Sequence, residues 1–304
     1  MKSKRAAVAS FVSASGGVGK TKLSLMLAYH LSKSSPRGRV LFIDLDPTAG
    51  ASLIVFSEDE YDEYVKSQKT LSDALEQHLI QKAIVEPSSV IVPAKVGDAL
   101  FDFVIPGERL IRVVDELWKS SAAGLRFKRA LESFIPFAKY DYVLVDNAPF
   151  FDPRYTALSL HISDCVFIPL RPSLIDLKRT ARMLFWLEDE VATTEKGEKL
   201  GESVYAVFNQ VPYLRDQVEK RFVESFLKGE ESGGVSSSGL QKRYSDLQTY
   251  AKQLRNMGVK FMSAYVEMAA DVERFPGVRK IPDKAKGFVG EAASVLEGVL
   301  RSLS

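Results

Sequence analysis

Seven consecutive residues, Ser15-Gly16-Gly17-Val18-Gly19-Lys20-Thr21, place three glycines, one ammonium and two hydroxyls next to each other. Glycines let successive backbone N–H groups turn toward a single point, and a helix starting there adds positive potential, so the segment suits an anion. Its spacing is that of a polyphosphate cradle, in which Lys20 contacts the β- and γ-phosphates and the Thr21 hydroxyl ligates Mg²⁺. Asp44 and Asp46 follow the apolar run Val40–Ile43. Carboxylates at i and i+2 leave a strand on the same side, so both can face a metal and its waters. Asp146 ends a second apolar run, Tyr142–Val145, and Asn209 ends a third, Val204–Phe208.

The elements around these residues can be read from their periodicity. Ala6–Val12 is a short apolar run that predicts a strand before the glycine loop. Lys20–Lys33 shows helical spacing through Leu23, Leu27 and Leu31. Val40–Ile43, Tyr142–Val145, Val166–Ile168 and Val204–Phe208 are continuously apolar, as strands buried on both faces are, and Val90–Val92 and Phe101–Ile105 are weaker strand candidates. Helices are expected over Leu71–Val85, Leu110–Lys119 and Leu125–Phe137, and Val289–Leu303 is an amphipathic helix that closes the core. Such alternation predicts an α/β fold of the P-loop NTPase type, a mostly parallel twisted sheet with helices on both faces. Right-handed crossovers bring the strand C-terminal ends, with Asp44, Asp46, Asp146 and Asn209, to one edge. Ser57–Tyr64 and Gly229–Gly239 read as surface loops.

The 304 residues are expected to form a single domain, 1–304, with 46% hydrophobic and 26% charged residues, a composition that excludes disorder. The one cysteine, Cys165, lies in an apolar run and reads as a small buried hydrophobe; it supplies neither a disulfide nor a paired metal site, which fits a reducing cytosol. No stretch reaches the ~20 apolar residues of a membrane span, and the basic start Met1–Arg5 leads into a strand rather than an export signal. The formal net charge of +2 does not identify a partner, so a nucleic-acid surface has to come from local clustering.

The Gly-Gly-Val-Gly-Lys-Thr loop, the later Asp44-Leu45-Asp46-Pro47 and the strand ending Val145-Asp146-Asn147-Ala148-Pro149 together resemble the ParA/MinD family of deviant Walker ATPases, most closely the ParA-type partition branch. The resemblance runs along most of the chain and implies ATP and Mg²⁺ as ligands. It implies catalytic roles for Lys20 on the phosphates and for Asp46 in orienting the attacking water. The nucleotide then lies on Ser15, Gly16, Gly17, Val18, Gly19, Lys20 and Thr21, and Mg²⁺ lies near Thr21, Asp44 and Asp146, the last acting through a water. Asn209 stands where the family hydrogen-bonds adenine. By the same resemblance the chain forms a homodimer with ATP, and the dimer binds DNA non-specifically on the nucleoid. The resemblance further implies a ParB-like centromere-binding protein that stimulates hydrolysis, and a cytoplasmic location.

The chain also departs from that pattern. Ala14 occupies the first glycine position, and Ser15 replaces the signature lysine that reaches the partner subunit's phosphates. Lys22 stands where a small hydroxyl residue is usual; it either serves those phosphates or is a solvated lysine of the first helical turn. The proline-containing loop that touches the base in the family falls near Ser263–Met268, which has no proline. For DNA the sequence offers Arg171, Lys178, Arg179 and Arg182 on or beside one helix, and Arg274, Arg279, Lys280, Lys284 and Lys286 near the C-terminus. A MinD-like membrane-associated ATPase and a nucleotide-gated DNA switch with little turnover are the alternatives. Relatives that pair cysteines across a dimer are disfavoured by the single cysteine.

Overall fold

The computed structural model describes residues 5–34, 39–149, 151–191, 203–214, 217–230, 238–277 and 280–303. Residues 1–4 of the basic start, 231–237 of the expected Gly/Ser loop, and Arg279 lie outside the described residues. In chain order the elements are β1 (Ala7–Phe11), α1 (Lys20–Ser34), β2 (Val40–Asp44), α2 (Ser52–Val55), α3 (Glu58–Lys66), α4 (Leu71–Leu79), β3 (Val92–Val96), β4 (Ala99–Val104), α5 (Leu110–Trp118) and α6 (Ala123–Phe134). There follow β5 (Tyr142–Asp146), α7 (Pro153–Ile162), β6 (Cys165–Leu170), α8 (Leu174–Val191), β7 (Val204–Phe208), α9 (Val218–Lys228), α10 (Ser238–Asn256), β8 (Lys260–Phe261), α11 (Ala270–Glu273) and α12 (Asp283–Leu303).

The eight strands form one sheet in the order β3-β4-β2-β5-β1-β6-β7-β8. All neighbours are parallel except β3 and β4. β3 is an edge strand, alternately buried and exposed, and it carries Pro93, which removes a ladder donor where none is needed. The inner strands β1, β2, β5 and β6 are buried along their whole length, so their side chains divide between two layers. Ala7, Ala9, Phe11, Phe42 and Leu144 pack with α1 and α12, whereas Val8, Leu41, Ile43, Val143 and Val145 pack with α4 to α7. A third cluster joins β6 and β7 to α8, α9 and α10.

Several element boundaries differ from those expected. The 57–64 segment is not a loop but the start of α3, capped by a reciprocal pair: the Ser57 hydroxyl accepts from the Glu60 N–H, and Glu60 accepts from the Ser57 N–H. The expected helix Leu71–Val85 stops at Leu79, and Lys82 beyond it adopts a left-handed φ of 57°. The third strand is Val92–Val96 instead of Val90–Val92, because Pro87–Ser89 forms a 3₁₀ turn first. α12 begins at Asp283, six residues before the amphipathic stretch, and buries Phe288, Val289, Ala292, Ala293 and Leu296 as a core helix.

α6 and α7 meet at Gly124, where an added Cβ would overlap the His161 imidazole. In an ordinary helix Gly→Ala stabilises by up to ~1 kcal/mol. Here Gly124→Ala is expected to destabilise by about 1–3 kcal/mol through overpacking, and adding His161→Ala should recover much of the loss. Urea unfolding of the two single variants and the double variant checks this.

Candidate nucleotide site

Parallel pairing places the ends of three strands side by side: Phe11 of β1 is in register with Asp146 of β5, and Asp146 with Asp44 of β2. The chain leaves β1 there into the 12–19 loop and re-enters structure as α1, whose first residue is Lys20. Gly17 and Gly19 take left-handed φ values of 69° and 81°, which bends the loop over the sheet edge. The Lys20 side chain folds back into the protein and is only 4% exposed. Its ammonium donates to Asp146 Oδ1 at 3.2 Å and to the Asn147 carbonyl.

The acidic residues have separate environments. Asp44 is fully buried; its Oδ1 accepts from the Asp46 N–H at 3.0 Å, and its Oδ2 accepts from the Ser52 N–H at 2.8 Å and the Ser52 hydroxyl at 2.7 Å. Asp44 thereby holds the turn that carries Asp46. Asp46 in turn accepts from the Thr48 N–H at 2.9 Å and the Thr48 hydroxyl at 2.7 Å. Burial, and next the charge of Asp146, push the Asp44 carboxyl up to about 7 despite the Ser52 bonds. Burial also raises Asp146, against the opposing pull of Lys20.

Three acceptors at this edge are buried without a hydrogen-bond partner among the described residues: Asp146 Oδ2, Asn147 Oδ1 and Asn209 Oδ1. Buried acceptors are rarely left unmatched, so these mark places where a bound group would supply donors or a cation. Thr21, Asp44 and Asp146 fit a magnesium ion in donor chemistry. Among the described residues no three His, Cys, Asp or Glu side chains form a cage, so such an ion would complete its shell with phosphate oxygens and water, as Mg²⁺ does.

All the sequence-predicted residues therefore meet at one edge: Ser15 to Thr21, Asp44, Asp46, Asp146 and Asn209. Asn209 reaches the loop directly, its Nδ2 donating to the Val18 carbonyl at 2.7 Å. Lys22 goes elsewhere; its ammonium donates to the Glu273 carbonyl and pairs with the Glu273 carboxylate at 2.5 Å, which ties α1 to α11. Ser15 is buried near Asp176 of α8, which is bound by Arg171 at 2.6 Å. Burial opposes the charge on Asp176, yet Arg171 holds its carboxyl below the usual range. Sequence reading missed Ser52, Thr48 and Gln210. Their hydroxyls and amide act on the carboxylates and the loop; Ser52 and Thr48 lie just beyond the acidic motif in sequence, and Gln210 had no signal there.

A family model described as AAA domain matches residues 6–195, more than half of the chain. The chain belongs to that family. An uncharacterized protein of Methanocaldococcus jannaschii is 28% identical over 182 residues, 60% of this chain and 65% of that protein. The virulence plasmid ParA family protein pGP5-D of Chlamydia psittaci is 34% identical over 86 residues, 27% of this chain. The chain thus spans 65% and 33% of these two relatives. Among solved structures, a Borrelia burgdorferi B31 plasmid partition protein bound to AMPPNP superposes with a TM-score of 0.66 at 17% identity, covering 98% of this chain and all of that one. Apo McdA of Cyanothece gives 0.65 at 19% identity over 95% of this chain and 99% of its own. At such identities the likeness is one of fold.

The raised Asp44 carboxyl has a consequence for stability. Its folded value, about 7, lies above the ordinary 3.8, so its contribution is fully present below about pH 4 and is lost as pH rises from there through 7. Asp44→Asn should therefore flatten this decline, and the ligand-free variant should gain stability relative to wild type as pH rises from 4 to 8. Thermal melts across that range check it.

Proposed function

We propose that this chain is a Mg²⁺-dependent ParA-type ATPase, a single domain over 1–304, acting as an ATP-gated homodimer on DNA. The observation that carries the reading is the β1–β5–β2 register, which brings the glycine loop, Lys20, Asp46 and Asp146 to one edge. Lys20 binds the β- and γ-phosphates, and Ser15, Gly16, Gly17, Val18 and Gly19 meet them with backbone N–H groups. Thr21 and Asp146 hold Mg²⁺, with Asp44 behind them; the ion supplies charge neutralisation at the phosphates. Asp46 orients the water that attacks the γ-phosphate, and Asn209 Oδ1 accepts from the adenine amine. The products are ADP and phosphate, formed slowly until a ParB-like centromere-binding partner engages. Such a cycle moves plasmid or chromosomal DNA in the cytoplasm, with the ATP form on the nucleoid.

The charge distribution favours one DNA face over the other. Near the C-terminus Lys284 pairs with Glu267 and Lys286 with Asp283, which neutralises two of the cations of that stretch. On α8, Lys178, Arg179 and Arg182 are exposed in helical spacing between the exposed Ile175 and Phe185. Arg171 is neutralised by Asp176, so these three are the phosphate contacts we assign. A membrane-binding role for the last helix is disfavoured, because the apolar face of α12 is committed to the core against α1 and β1. Among the described residues, no helix is long and apolar enough to cross a membrane.

Two measurements test the reading. Asp46→Ala should bind ATP like wild type yet lose turnover, whereas Lys20→Ala should weaken ATP by roughly 1.5–3 kcal/mol, about tenfold to a hundredfold; calorimetry with a phosphate-release assay reads both, and full turnover in Asp46→Ala sinks the water-orienting role. For DNA, ATP-dependent binding should fall linearly with salt on log axes. Replacing Lys178, Arg179 and Arg182 with alanine should shallow that slope by up to about 2.7, at about 0.9 per phosphate contact. An unchanged slope moves the DNA surface off α8.

A further inference from the structure

Two neighbouring amides from the end of β7 grip the glycine loop from its outer side. Asn209 Nδ2 donates to the Val18 carbonyl at 2.7 Å, and Gln210 Nε2 donates to the Gly17 carbonyl at 2.8 Å. The backbone on either side of Gln210 is pinned: the Asn209 N–H donates to the Leu170 carbonyl at 2.9 Å, and the Val211 N–H to the Val266 carbonyl at 3.0 Å. Between these anchors Gln210 sits at φ 55°, in the left-handed region where a Cβ meets the following carbonyl. Glycine or asparagine would hold that backbone at less cost. Glutamine adds one methylene of reach, and its amide arrives at the loop.

The effect on the loop follows from peptide geometry. A peptide unit is planar and trans, so its carbonyl and the next residue's N–H lie on opposite edges. Drawing the Gly17 carbonyl toward β7 points the Val18 N–H away from β7. The same hold on the Val18 carbonyl sets the Gly19 N–H. Gly17 and Gly19 leave these two planes free to rotate about soft dihedrals unless something outside the loop holds them. The loop is also seated on this pair, since a Cβ at Gly19 would overlap the Asn209 amide.

We propose that Asn209 and Gln210 form a brace that pre-orients the Val18 and Gly19 N–H groups for phosphate, and that Gln210 is a positioning residue kept in a strained backbone for that task. This rests on the phosphate-binding reading of the loop and adds a second strand's contribution to it. Strain that persists beside a site, where a less costly residue would fit, is a mark of function. Through the brace, the strand end proposed to meet the base also sets the donors that meet the phosphates.

The test titrates wild type, Gln210→Ala and Gln210→Gly with ATP and with inorganic triphosphate, both in Mg²⁺, and records each protein's melting temperature. Both variants should lose about threefold to tenfold in affinity, equally for the two ligands, because one neutral hydrogen bond is lost and the base plays no part in it. The glycine variant should nevertheless melt above the alanine variant, because it relieves the left-handed φ. Affinity would then follow the amide and not the stability. Wild-type affinity for triphosphate in either variant overturns the brace, as does a loss confined to ATP, which would make Gln210 a base contact. A wild type that binds neither ligand overturns the phosphate-loop reading as well.

Discussion

The register of β1, β5 and β2 is the constraint on which the rest of the site depends. Phe11, Asp146 and Asp44 lie in one row, and the bonds continue past the strand ends, from the Leu45 N–H to the Asp146 carbonyl at 2.8 Å and from the Asn147 N–H to the Phe11 carbonyl at 3.3 Å. Side chains alternate along a strand, so slipping β2 by one residue would exchange the layer of Phe42 with that of Leu41 and Ile43. Both layers are fully buried and differently packed, which makes the slip costly. The positions of Asp44 and Asp46 thus follow from the packing of apolar side chains beneath them.

The buried charges are arranged so that each carboxylate has a distinct holder. Asp44 is satisfied by Ser52 and the Asp46 N–H, Asp46 by Thr48, and Asp146 by Lys20 on one oxygen only. Taking an ion pair such as Lys20–Asp146 out of water returns little net stability, because desolvation offsets the attraction. What the pair does is store the ammonium at the point where the loop ends. Under the proposed function a phosphate competes with Asp146 for that ammonium, and Asp146 is released toward the Thr21 side.

Cations outside the site are sorted by what they face. Lys22 is held by Glu273, Arg171 by Asp176, and Lys284 by Glu267, each joining two elements close to the nucleotide edge. Those on the outer stripe of α8 face solvent. Ion pairs that fasten α1 to α11 and the end of β6 to α8 lie beside the loop, so movement of either element is felt there. Glu267 shows the same logic: Lys220 and Lys284 fasten its segment to α9 and α12 and hold its carboxyl low against the cost of burial.

The alternation of apolar strands and periodic helices was sufficient to predict a parallel α/β sheet, because a strand covered on both faces has to be apolar at every position. The loop from Ser15 to Thr21 was equally legible, since glycine takes the left-handed φ values found at Gly17 and Gly19 without strain, and a lysine and a hydroxyl suit its end. Asp44, Asp46 and Asp146 were readable as strand-terminal carboxylates, but not the hydrogen bonds that separate their environments. Tertiary structure decided the rest. Whether Lys22 points at the loop or at Glu273 depends on where α11, some 250 residues away in sequence, packs against α1. The antiparallel edge strand depended on Pro93 finding an edge, and the capping of α3 on two polar residues that composition had counted as loop. Gln210 gave no signal in sequence at all, since its left-handed backbone and its contact with Gly17 exist only once β6, β7 and the 266 segment have pinned the chain on either side of it.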